Sequence, residues 1–132
     1  MGTYNKQYDG RPEVIRTECD FYSTDGKHIV HTDNAIWDTG STTTILSKSL
    51  IEKLQSKPFR KGGVSGIGGN VEATTYLVHV APPTDNVITY IEVMEHSFED
   101  YDAIIGMDVI TYGDFVIASI EGKTRFTFRL PD

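Results

Sequence analysis

Asp38 is the side chain best placed to do chemistry in this sequence. It stands in Ala35-Ile36-Trp37-Asp38-Thr39-Gly40-Ser41-Thr42-Thr43-Thr44-Ile45-Leu46, where three apolar residues run into Asp-Thr-Gly-Ser and apolar residues resume at Ile45. An aspartate beside a large apolar surface is costly unless it has partners. Gly40, with no Cβ, lets the chain turn sharply and lets backbone approach the carboxylate. Thr39 and Ser41 flank it with hydroxyls. The stretch reads as a strand that delivers one acid to a tight turn. A carboxylate there can act as a general acid or base. Two carboxylates in contact share one proton, because like charges cannot both ionise readily, and they titrate as a unit. The chain has no second Asp-Thr/Ser-Gly, since Asp9-Gly10 and Asp25-Gly26 lack the residue between. Two-carboxylate chemistry would therefore need Asp38 of a second copy. The same residues also fit a plain Asx-type turn at a strand end.

The elements around this turn are mostly short strands. Glu13–Tyr22 has strand character, and Asp25-Gly26 signals a hairpin whose return begins at His28. Thr32-Asp33-Asn34 reads as a further turn before the Asp38 strand. Leu50, Ile51 and Leu54 fall at helical spacing, and Ser49 with Glu52 fits a capping box for a helix that ends before Pro58. Tyr76, Val78 and Val80 alternate with Thr75, Leu77 and His79 in a strand over 71–81. Pro82-Pro83 ends that strand. Val87–Met94 is β-branched and apolar. Ser97–Tyr101 is an acidic loop leading into the Ile104-Ile105-Gly106 strand. Met107–Tyr112 fits one helical turn. Phe115–Ile120 and Thr124–Leu130 form a closing hairpin, with Phe126, Phe128 and Leu130 on one face. Many short strands with one or two short helices predict an all-β, barrel-like domain. Residues 1–11 are polar and read as a flexible N-terminal tail, with a single domain over 12–132.

Apolar-apolar-Asp38-Thr39-Gly40-Ser41 resembles the catalytic signature of aspartic peptidases. Two further stretches strengthen the likeness. Asp102-Ala103-Ile104-Ile105-Gly106-Met107-Asp108-Val109-Ile110 resembles the Ile-Ile-Gly motif behind the active-site loop of single-domain retropepsins. Gly63-Val64-Ser65-Gly66-Ile67-Gly68-Gly69-Asn70-Val71-Glu72-Ala73 resembles the flap hairpin of bacterial and retroelement members. The three occur in the family's order, and the resemblance covers roughly residues 12 to 131. It implies a retropepsin-like closed barrel and an aspartic endopeptidase that acts as a homodimer on a polypeptide substrate without a cofactor. Asp38 would be the catalytic acid/base. Thr39 would bond the partner's loop, Gly40 would donate its N–H to the inner carboxylate oxygen, and the Ser41 hydroxyl would donate to the outer one. Ile105 and Gly106 would support the loop, with Ile104 and Ile105 as core. Gly66, Ile67, Gly68 and Gly69 would form the tip of a flap over substrate.

The departures are as informative. Retroviral members carry an acid two residues after the motif's Gly and an Arg after Ile-Ile-Gly. Thr42 and Met107 stand there instead, so both charges are absent together. Cellular and bacterial members more often show Gly-Met-Asp, as in Gly106-Met107-Asp108. The strand Thr124–Leu130 is a candidate interface element, and equally a candidate internal strand. Asp108 fits a helix-turn ligand or an ion-pair partner, and equally a solvated or capping role.

Two other readings compete. Ile36-Trp37-Asp38-Thr39-Gly40-Ser41-Thr42 also resembles the phosphate hairpin of sugar kinases and actin-like ATPases, but those folds need two large domains, which 132 residues do not supply. A dimeric domain of the same fold could instead hold extended segments, or cleave a single partner sequence, because fold alone does not give function.

Composition narrows the partners. Twelve basic against nineteen acidic residues give a net charge of −7, which disfavours nucleic acid. No apolar run approaches membrane-spanning length and the first residues lack a signal-peptide pattern, so a cytoplasmic location is the default expectation. Cys19 is the lone cysteine, so no intrachain disulfide forms. His28, His31, His79 and His96 make no metal-ligand set with Cys19, and no metal is expected.

Overall fold

The computed structural model describes residues 2–66 and 69–131, without the side chains of 62–66 and 69–72. Its strands are β1 (Gly2–Asp9), β2 (Ile15–Ser23), β3 (Ile29–Trp37), β4 (Ile45–Ser47), β5 (Arg60–Gly66), β6 (Gly69–Ala81), β7 (Ile88–His96), β8 (Ala103–Ile105), β9 (Asp114–Ile120) and β10 (Lys123–Leu130). The helices are α1 (Lys48–Leu54) and α2 (Met107–Ile110). No helix among the described residues is long and apolar enough to cross a membrane.

The predicted all-β barrel is what the chain forms. Strands run β2-β3-β8-β4-β7-β6 and close where β6 pairs with β2, with β5 added on the far side of β6. Alternation explains which side chains face in. Tyr76, Val78 and Val80 of β6 are buried, as are Cys19 and Phe21 of β2 and Ile91 and Val93 of β7. Leu50, Ile51 and Leu54 of α1 cover part of this core. The α1 cap is Ser47, whose hydroxyl accepts the Leu50 N–H at 3.2 Å, and not Ser49. The expected box was set two residues late because β4 runs straight into the helix and makes its own last residue the cap.

A second sheet, ordered β1-β10-β9, packs against the barrel. Here the flexible-tail expectation for residues 1–11 is overturned. Gly2–Asp9 pairs with β10 along its whole length, from Gly2 opposite Leu130 to Asp9 opposite Lys123. Its apolar content is only Tyr4 and Tyr8, but both lie against the core, and Tyr4 meets Phe126 edge-on at 6.4 Å. The Tyr8 hydroxyl and Lys6 Nζ both donate to the Arg16 carbonyl, which ties β1 to β2. β10 is consequently the middle strand of this sheet. Of its two readings the internal one holds, and the edges of the sheet are β1 and β9.

A second correction concerns Thr32-Asp33-Asn34. No turn interrupts the chain there; β3 is continuous, and the β2–β3 register shifts between Thr17 and Cys19. Such a bulge bends the strand without ending it. Thr32 is buried at the bend, where its hydroxyl accepts the Asn34 N–H and donates to Asp102 Oδ2 at 2.6 Å. The Asp25-Gly26 hairpin forms as expected, with Gly26 at φ 74°.

Candidate active site

Asp38 follows directly on the last residue of β3, and its placement starts with Trp37. The Trp37 indole lies against Phe128 (4.7 Å between centroids), Phe126 (5.1 Å) and Phe115 (6.0 Å). Its Nε1–H donates to the buried Thr17 hydroxyl at 2.9 Å. An aromatic of this size, apolar over its faces and satisfied at its polar tip, fixes the strand end on which Asp38 sits. Asp38 itself is half-buried while Thr39 and Gly40 are exposed.

The loop folds back on its own acid. The Asp38 carbonyl accepts the Ser41 N–H at 3.1 Å, and Gly40 N–H donates to Asp38 Oδ1 at 2.8 Å, as the resemblance implied. A charge-assisted bond of this kind is roughly twice as strong as a neutral one. The Ser41 hydroxyl departs from expectation. It donates to the Thr43 carbonyl at 2.7 Å, within its own loop, and not to Asp38. With Oγ only two residues from that carbonyl, the local ST-type bond wins.

β8 holds the loop from beneath. It runs parallel to β3, with Trp37 opposite Ile105, and antiparallel to β4, with Ile45 opposite Ile104. The Ile105 carbonyl accepts the Asp38 N–H at 2.9 Å, and the Met107 N–H donates to the Ser41 carbonyl at 2.8 Å. Gly106 sits where the two segments touch. A Cβ there would come within 2.7 Å of the Ser41 oxygen and 2.9 Å of the Thr43 carbonyl, so only glycine fits. Ile105 is fully buried and Ile104 partly so, in keeping with the core role given to them.

Thr44 and Asp108 complete the support, and sequence reasoning missed the pairing. The buried Thr44 hydroxyl accepts Gly106 N–H at 3.1 Å and donates to Asp108 Oδ1 at 2.7 Å, while Thr44 N–H donates to Asp108 Oδ2 at 2.9 Å. Asp108 is thus a ligand of the loop behind Asp38. Bonds to a charged acceptor are worth about 1.5–3 kcal/mol each. The two residues are 64 apart in sequence, and no local pattern links them. Thr42 is exposed and Met107 packs against the core, so the absent ion pair is replaced by no other charge at those positions.

The residues assigned to a flap fall on the β5–β6 hairpin. Its strands pair from Arg60 opposite Thr75 to Gly66 opposite Gly69. Ile67 and Gly68, the rest of the assigned tip, lie outside the described residues. The hairpin base is pinned by Arg60, which donates to Glu92 at 2.6 and 2.7 Å across the sheet, and by the Thr75 hydroxyl at 2.6 Å. The Arg60 guanidinium holds the Glu92 carboxyl below its usual range, helped by Thr75.

Among the described residues one group has metal-ligand spacing. Glu18, His31 and Asp33 present ligand atoms within 4.8 Å of one another, all exposed on the β2–β3 face. The His31 nitrogens already meet Asp33 at 2.9 Å and Asp20 at 2.6 Å, bonds that raise the imidazole's pKa. Metal ligation needs that imidazole neutral, so these carboxylates act first as its ion-pair partners. Cys19 is buried against Ala81, and burial pushes its thiol well above the ordinary range, which leaves it unreactive.

No protein-family model and no curated protein matches the chain. Solved structures do. A retropepsin-like aspartic protease from Rickettsia conorii is similar over 96% of this chain and 94% of its own, with a TM-score of 0.53 and 12% identity. EIAV protease complexed with the inhibitor HBY-793 aligns over 74% of this chain and 86% of its own, with 23% identity. Its TM-score of 0.47 is too low to bear on the site. At these identities the likeness is one of fold: the chain has the retropepsin-like, acid-protease fold.

Proposed function

We propose that the chain is an aspartic endopeptidase, active as a homodimer, in which Asp38 of two copies forms the catalytic dyad. The observation that carries this reading is the loop itself. A half-exposed carboxylate at a strand end accepts Gly40 N–H on one oxygen, and its backbone is clamped to Ile105 beneath it. The Gly40 bond alone is the one an Asx turn makes; what supports the catalytic reading is that bond together with the backbone clamp to Ile105 and the Gly106 crossing beneath the loop.

The proposed chemistry follows from one shared proton. The ionised Asp38 takes a proton from water as the oxygen attacks the scissile carbonyl. The protonated Asp38 of the second copy gives its proton to the carbonyl oxygen, and the proton taken from water later reaches the leaving amine. Thr39, exposed beside the acid, is assigned to the loop-to-loop contact, and Ser41 and Gly106 to holding the loop shape. The hairpin around Gly66 and Gly69 is assigned to covering an extended peptide and excluding water. No cofactor or metal takes part. The net charge of −7 fits neutral or apolar peptides better than acidic ones.

Digestion of a diverse peptide library by wild type and Asp38→Ala, read by mass spectrometry at several pH values, tests this. Cleavage by wild type alone is the expected result. Equal cleavage by both removes the mechanism. Silence from both, with a dimer present, assigns the chain to peptide binding or to a single dedicated substrate on the same fold.

A further inference from the structure

The two outer strands of the β1-β10-β9 sheet are built differently. β1 turns Thr3, Asn5, Gln7 and Asp9 outward, all polar and exposed. β9 is Asp-Phe-Val-Ile-Ala-Ser-Ile, and Val116 (48%), Ile117 (53%) and Ile120 (41%) are exposed. Its one charge, Asp114, is taken by Arg129 of β10. Edge strands that stay single normally carry lysine, proline or an inward charge, and Phe115–Ile120 has none of these. Ile117 is the telling residue. It lies opposite Phe126 on the face that Phe126 and Phe128 bury, yet it is half open to water. The core face of the sheet therefore continues past the edge of the chain.

Backbone geometry says what fits there. Glu121 (φ 51°) and Gly122 (φ 78°) form a two-residue turn, which makes Ile120 and Lys123 a hydrogen-bonded pair. By the alternation of an antiparallel ladder, Phe115, Ile117 and Ser119 then point their N–H and C=O groups away from β10. We infer that β9 pairs antiparallel with β9 of a second copy, centred on Ile117 opposite Ile117. This register matches every outward group of Phe115, Ile117 and Ser119, sets Val116 beside Ala118, and brings no like charges face to face. It is isologous, as a two-fold dimer requires. It also joins the sheets under both Trp37 side chains, since Trp37 lies on Phe115 and immediately precedes Asp38. The inference deepens the two-copy site proposed above and rests on it for its consequence, though not for its geometry.

The test separates the two. Sedimentation velocity on wild type, Ile117→Lys and Asn5→Lys, with circular dichroism as the fold check, reads the interface without reference to activity. Wild type and Asn5→Lys should be dimers, and Ile117→Lys should be a folded monomer with peptide cleavage lost. A folded Ile117→Lys that dimerises like wild type, or a wild type that stays monomeric, overturns the inference. The register is read by Ile117→Cys under oxidised glutathione. Paired residues lie about 5.5 Å apart at Cα, within the span of a disulfide, and buried Cys19 does not compete. A covalent dimer from Ile117→Cys but not Asn5→Cys is expected, and the reverse overturns the assignment. A wild-type dimer that dissociates in Ile117→Lys but never cleaves peptide leaves the interface standing and removes the peptidase.

Discussion

The crossing of β8 beneath the Asp38 loop and the open strand β9 are opposite solutions to the same backbone problem. At the crossing, polar groups are matched within the chain: Asp38 N–H to Ile105, Met107 N–H to Ser41, Gly106 N–H to Thr44, and Thr44 to Asp108. At β9 a row of backbone groups and three large apolar side chains face water. Backbone buried where two segments cross must be satisfied by its own chain. An edge can wait for a partner. One region is closed within the chain, and the other is an open edge, the one to which the inference above assigns a second copy.

Substitutions should separate the two regions by the quantity they change. The largest effect is on chemistry: Asp38→Asn should lower peptide cleavage by at least about 10²–10⁴-fold, the usual worth of a general acid/base. The dimer should persist in sedimentation. Gly106→Ala should come next, costing about 1–3 kcal/mol or more, because the new Cβ meets backbone at 2.7 Å that cannot step aside. Urea unfolding measures this, and an unchanged midpoint would mean the crossing is looser than described. Thr44→Val keeps the shape but strands Gly106 N–H and removes a donor from Asp108, for about 1–3 kcal/mol by the same measurement. Val116→Thr on β9 should shift monomer stability by less than about 0.5 kcal/mol, while weakening the dimer. Equal effects of Thr44→Val and Val116→Thr on unfolding would erase the distinction.

The smallest expected effect is a pH slope. His31 is raised by Asp33 and Asp20, so the folded state binds its proton more tightly than the unfolded chain. That contribution is complete below the ordinary histidine range and fades as pH rises through the raised value. His31→Gln should flatten the dependence of unfolding on pH in that window, and should leave peptide cleavage alone.

What could be read from the sequence was local. Asp38-Thr39-Gly40, the alternation of Tyr76, Val78 and Val80, and the Asp25-Gly26 hairpin each declare themselves within a few residues. The strand β1 did not, because its pairing partner lies at the other end of the chain and its only apolar residues are Tyr4 and Tyr8. Their spacing of four, with Lys6 between, was the available signal for a face. The bond from Thr44 to Asp108 was half legible: Asp108 could be singled out as a ligand, but nothing local names Thr44 as its partner until β8 brings them together. Thr32-Asp33-Asn34 has turn composition, yet a bulge uses the same small polar residues to bend a strand that goes on.

The pairing of β1 with β10 also sets an order of events. Gly2 meets Leu130, so the first strand of the chain waits for almost the last before it has a neighbour. Such a contact closes a very long loop, and loop closure of that length is slow compared with hairpin formation. The barrel, built from nearer pairings such as β2–β3 and β6–β7, can therefore form ahead of the terminal sheet. β9 becomes a straight, supported edge only when β10 is held on its other side. The pairing of two β9 strands inferred above would then follow completion of each copy.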